Sequence, residues 1–205
     1  MKKSIILLAC VLAMGAASAQ EKKGGLEIEI GGGTTRYGGF SPVSAFTDPT
    51  ESYGLIPTEH MSVGYRENTG WFIGITLNHD AGHTAFQNLN EKFMNLNALV
   101  DVRHYAMLSD RFELMLGAAV GLLVHNNTFD FGNTDHSFTR YGFGGHFSTG
   151  LNYVIDEHTY IGIQASFPCI GSFMGKAPTL PGGLTATSHN QLVGYGLQVT
   201  YGLRF

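Results

Sequence analysis

From Leu26 to the last residue, Phe205, apolar side chains alternate with polar or small ones in eight short segments. Neighbouring residues of a β-strand point to opposite faces, so a period of two sorts each segment into an apolar row and a second row. Leu26, Ile28 and Ile30 oppose Glu27 and Glu29; Met61, Val63 and Tyr65 oppose His60, Ser62, Gly64 and Arg66. Trp71, Ile73, Ile75 and Leu77 form a third row, and Met94 to Val102 a fourth, set against Asn95, Asn97, Leu99, Asp101 and Arg103. The fifth runs from Phe112 to Val124 against Glu113, Met115, Gly117, Ala119 and Gly121. Tyr141 to Tyr153, Ile161 to Phe167 and Val193 to Phe205 complete the set.

The connections alternate as well. Short turns are expected at Glu67 to Gly70, Ser109-Asp110 and Asp156 to His158; long polar loops are expected at Gly38 to Thr58, Asp80 to Glu91, Asn126 to Thr139 and Pro168 to His189. Eight strands with short turns at one end and long loops at the other predict an all-β, antiparallel, up-and-down transmembrane barrel, with the turns periplasmic and the loops extracellular. A soluble lipocalin-like barrel is the structural alternative, but it buries its apolar row inward and shows no such asymmetry. Aromatic residues sharpen the choice. Tyr65, Trp71, Phe112, Tyr153, Tyr201 and Phe205 share the apolar face near the short-turn ends, where an interfacial girdle belongs, with Tyr141 and Phe167 towards the other interface.

Composition changes the picture at the N-terminus. Lys2 and Lys3 precede an apolar run from Ile5 to Ala17, and Ala17-Ser18-Ala19 offers a small-residue cleavage site, so residues 1–19 read as a cleaved signal peptide and 20–205 as the barrel domain. No later apolar stretch approaches the roughly 20 residues of a spanning helix. Losing both lysines moves the formal charge from -4 to about -6, which leaves no basic surface for nucleic acid. Of the two cysteines, Cys10 lies in the leader, so Cys169 has no intramolecular partner in the mature chain.

The second row of each segment faces the lumen, which eight strands leave just wide enough for side chains to fill. Glu27, Glu29, Asp101 and Glu113 stand there beside Arg66, Arg103 and Arg204. Strand neighbourhood predicts that Glu27 and Glu29 meet Arg66 and Arg204, and that Asp101 and Arg103 meet Glu113, in a buried ion-pair network that blocks free passage. Further up, Gly117, Ala119, Gly121, Gly142, Gly144, Gly194 and Gly196 either leave a small cavity or admit bulky neighbours; the second is favoured. His60, His79, His83, His125, His136, His146 and His189 are read as solvated residues at or beyond the outer strand ends rather than as metal ligands. No cofactor is expected.

The pattern, with Tyr201-Gly202-Leu203-Arg204-Phe205 as its most specific piece, resembles the small OmpA/OmpX-like barrels of Gram-negative outer membranes and the porin-family barrels of Bacteroidetes-type bacteria. The resemblance implies that Tyr201, Leu203 and Phe205 form a C-terminal assembly signal read by the barrel-assembly machinery. It also implies residence in the cell outer membrane among lipid and lipopolysaccharide. The expected role is non-enzymatic, a filled barrel presenting loops for envelope structure or for an extracellular ligand. A narrow OmpW-like channel or carrier for small molecules is the alternative. A third reading rests on His146-Phe147-Ser148, which has the His-x-Ser spacing of lipid A deacylases. Thr149 replaces that family's asparagine, and alternation turns both residues inward, away from lipid.

Overall fold

The computed structural model describes residues 24–38, 55–86, 89–130, 135–174 and 192–205. They form eight strands: β1 (Gly25–Gly38), β2 (Ile56–Arg66), β3 (Trp71–Phe86), β4 (Leu89–Met107), β5 (Phe112–Asp130), β6 (Asp135–Val154), β7 (Thr159–Met174) and β8 (Leu192–Arg204). Each pairs antiparallel with its sequence neighbours, and β1 pairs with β8, so the sheet closes into an up-and-down barrel. Closure satisfies the backbone groups that an open edge would leave facing lipid. No described helix is long and apolar enough to cross a membrane.

Side chains sort as the alternation demands. Ile73, Ile75, Val100, Leu116, Val120, Leu122, Ile163, Leu197 and Val199 are exposed on the outer wall, while Glu27, Asp101, Arg103 and Glu113 are almost wholly buried inside. A soluble barrel has the opposite distribution, because water rejects an apolar exterior of this extent. Here lipid is the solvent for which the outer wall is suited. Tyr65, Trp71, Phe112 and Tyr201 stand exposed near the short-turn end, and Phe112 packs edge-on against Tyr153 with ring centroids 5.5 Å apart.

The short turns fall where expected. Gly70 closes the first with φ of +89°, a left-handed conformation that favours glycine, and its carbonyl accepts a hydrogen bond from Tyr105 N–H at 2.9 Å. In the last, Asp156 Oδ1 accepts the His158 N–H at 2.8 Å. Because of this hydrogen bond, before any other influence, the Asp156 carboxyl is held below its ordinary range.

Two of the four expected long loops are largely strand among the described residues. β3 and β4 remain paired to Phe86↔Leu89, through the segment Asp80 to Glu91, and β5 and β6 remain paired to Asp130↔Asp135, through most of Asn126 to Thr139. β7 also continues past Pro168 to Met174, and β2 begins at Ile56. The apolar alternation stops where contact with lipid stops, whereas backbone pairing needs no apolar side chains and carries the ladders further. The remainder of the other two expected loops, residues 39–54 and 175–189, and the expected leader lie outside the described residues.

Candidate functional site

A belt of charge crosses the lumen near the short turns. It is built from inward positions of β1, β2, β4, β5 and β8. Glu27 on β1 accepts from Arg66 Nη1 on β2 at 3.3 Å and from Arg204 Nε on β8 at 3.1 Å. Both guanidinium groups also reach Glu113 on β5: Arg204 Nη2 lies 2.6 Å from Oε2, and Arg66 Nη2 bonds Oε1. Deeper in the barrel, Arg103 on β4 bonds Glu29 Oε1 at 2.5 Å and Asp101 Oδ2 at 2.7 Å. Arg103, Asp101, Glu29 and Glu113 have at most 2% of their side chains exposed.

Neutral groups complete the belt. Tyr160 on β7 donates to Glu29 at 2.8 Å and lies 3.0 Å from Glu27; Tyr105 on β4 donates to Glu27 at 2.9 Å; Thr76 on β3 donates to Asp101 at 2.6 Å. Arg66 stacks over the Tyr105 ring at 4.0 Å and Arg204 over Tyr160 at 4.5 Å. Four carboxylates face three guanidiniums, with His60 Nε2 placed 3.1 Å from Glu29. A buried charge stripped of its partner costs several kcal/mol, about 3–5, so mutual satisfaction holds these side chains in place.

The seven residues expected in the network are therefore all brought into it, but two expected pairings differ. Glu29 meets Arg103 and His60 rather than Arg66 or Arg204, and Glu113 meets Arg66 and Arg204 rather than Arg103. Reasoning from adjacent strands misses these pairs because the lumen is narrow enough for an arginine to reach across it. Tyr105 and Tyr160 were missed altogether. Their parity was a readable signal, for Tyr105 continues the inward row of Asp101 and Arg103, and Tyr160 precedes Gly162 and Gln164.

Above the belt the lumen stays polar, with Ser62, Asn97, Gln164 and Gln198 buried there, and Asp80 and Arg140 add charge nearer the outer end. The inward glycines there mostly admit neighbours: a methyl group at Gly117 would lie 2.7 Å from Ser148 Oγ, and one at Gly196 2.6 Å from Thr35 Oγ1. A cavity of about 30 Å³ nevertheless remains, lined among others by His60, Thr76, Asn97, His146 and Gln164. This corrects the histidines. His60, His125 and His146 are buried inside the barrel rather than solvated: His60 and His146 belong to the inward rows of β2 and β6, and β5 carries His125 inward just past its apolar row. His83 is exposed; the side chain of His136 and the whole of His189 lie outside the described residues. Among the described residues no group of three or more His, Cys, Asp or Glu side chains is placed to hold a metal ion.

His146 and Ser148 both face the lumen, and Ser148 Oγ donates to Met115 Sδ at 3.8 Å. Cys169 is exposed with a free thiol. At the C-terminus, Tyr201 lies on the outer wall, Leu203 pairs with Ile28 and Phe205 N–H donates to the Leu26 carbonyl at 2.9 Å.

Solved structures with the same architecture include Neisserial surface protein A, at 15% identity and a TM-score of 0.61, covering 88% of this chain and 97% of that one. Ail, the attachment invasion locus protein of Yersinia pestis, matches at 11% identity and a TM-score of 0.57, covering 90% of this chain and 100% of that one. At such identities the likeness is one of fold. No curated protein sequence matches the chain. The sequence model of the outer membrane protein beta-barrel domain matches residues 5–205. An apolar outer wall, a polar lumen and a match over nearly the whole length agree, and the chain belongs to the outer membrane protein beta-barrel domain family.

Proposed function

We propose that this outer-membrane barrel is a closed, non-enzymatic anchor whose lumen is sealed by its charged belt and whose outer strand ends carry the surface that meets the environment. The observation that supports this most directly is the contact of Glu113 with both Arg66 and Arg204, which draws β2, β5 and β8 together through the middle of the barrel. Every charged side chain of the belt is engaged, so a solute entering there must break several buried charge-assisted bonds at once. The long ladders β3–β4 and β5–β6 extend beyond the apolar wall and give the outer end a rigid platform. Residues 1–19 serve in this reading as a cleaved export signal, the outer leaflet supplies lipopolysaccharide as a neighbour, and the strand ending in Phe205 is recognised during assembly.

Liposomes containing the purified barrel test the reading by osmotic swelling in small sugars. Swelling no faster than in protein-free liposomes is expected. Rapid swelling supports the narrow channel instead and removes the sealed lumen.

A further inference from the structure

A second cluster of buried polar side chains lies in the lumen towards the outer end. Asp80 on β3, Asn95 on β4, His125 on β5 and Arg140 on β6 are successive cross-strand partners, and all four are buried. Tyr37 on β1 reaches over β2 to donate its hydroxyl hydrogen to Asp80 Oδ2 at 2.5 Å. On the remaining arc Tyr37 pairs with Gly194 on β8, and a methyl group at Gly194 would lie 2.9 Å from the Tyr37 ring and 3.2 Å from Pro168 of β7. Glycine at that position leaves room both for the Arg36 carbonyl oxygen, 2.7 Å from such a methyl group, and for the tyrosine ring.

The 30 Å³ cavity is lined both by Tyr37 and Asp80 of this cluster and by Arg103 of the charged belt. Its volume accommodates about two water molecules. Three buried atoms on its walls have no protein hydrogen-bond partner: His60 Nδ1, His146 Nε2 and Gln164 Oε1. Buried polar atoms are rarely left so, and a bound water donates and accepts enough bonds to satisfy such groups together.

We infer that Tyr37, Asp80, Asn95, His125 and Arg140 form a second, outer closure, and that the chamber beneath it binds water, bridged among His60, His146 and Gln164. The inference rests on the sealed belt for the chamber's inner end. Two closures in series keep the barrel tight when either one opens transiently.

The test places a single thiol in the chamber. Cys10 and Cys169 are replaced by serine, and Ser166, a buried cavity residue, becomes the reporter in S166C. The folded barrel, verified by heat-dependent gel mobility, is exposed to an anionic methanethiosulfonate reagent. Slow labelling is expected in this parent, and labelling about tenfold faster or more after Tyr37→Ala with Asp80→Ala, since each lost hydrogen bond favours the open layer severalfold. Tyr37→Phe, which keeps the ring and loses only the hydroxyl, should fall between them and guards against misfolding of the double variant. Rapid labelling of the parent, or no acceleration on opening the outer layer, overturns the second closure. Potassium chloride conductance across planar bilayers separates the two readings. The Tyr37→Ala, Asp80→Ala barrel should remain at baseline; if it conducts while labelling behaves as expected, the outer closure stands and the sealed belt fails. X-ray-generated hydroxyl radicals, formed from bound water, should oxidise His60 and His146 in the parent despite their burial. No oxidation of either overturns the bound water.

Discussion

Arg103 shows how much one lumenal side chain carries. It bonds Glu29 and Asp101 at once, approaches Tyr105 Oη at 3.3 Å and is itself almost completely buried. Arg103→Met keeps the length and removes the charge, so two carboxylates are left in the interior without their cation. Destabilisation of about 3–5 kcal/mol is expected, read from urea unfolding of the barrel in lipid vesicles. Gly202 acts in the opposite sense, by what it lacks. A methyl group there would lie 2.0 Å from Cζ of Tyr160, so Gly202→Ala should displace Tyr160 from Glu27 and Glu29 and cost about 1–3 kcal/mol in the same measurement. The inward placement of the belt's carboxylates could be read from alternation alone, since one intervening residue fixes the face. Which carboxylate meets which arginine could not, because that depends on the lumen's width and on the stagger of distant strands, as the Arg66–Glu113 pair makes plain.

Among the elements, the turns are the most sequence-determined. Gly70→Ala forces a side chain into the left-handed region and should destabilise by about 1–2 kcal/mol, seen as a lowered urea midpoint. The Asp156 turn carries a pH dependence with a definite sign. Its carboxyl titrates lower when folded than the ordinary 3.8, so its contribution is fully present above that value and disappears as the pH falls through the folded pKa. Amide exchange of His158, measured relative to other turn amides, should therefore become less protected below about pH 3.8, and Asp156→Asn should abolish the change. Strand ends were less legible. Apolar alternation marks β4 from Met94 to Val102, yet the strand spans Leu89–Met107, because polar residues at its outer end pair just as well. His125 was misplaced for the same reason: it sits past the apolar row of β5 but still points inward.

At the scale of the whole molecule, closure is a pairing between the beginning and the end of the described sheet. β1 and β8 match from Glu27↔Arg204 to Gly38↔Val193, and Phe205 N–H donates beyond them to Leu26. Removing Phe205 should lower the amount of barrel reaching the outer membrane of growing cells, measured by fractionation and heat-dependent mobility, with a smaller effect on refolding into detergent. Equal losses in both would assign Phe205 to seam stability rather than to recognition. The seam has a further consequence for stability. Seven strands would leave two unpaired edges, each a row of amides and carbonyls that hydrocarbon cannot solvate. In hydrocarbon the sheet is therefore stable only when its last strand has met its first, so the seam decides whether the other seven pairings can persist there.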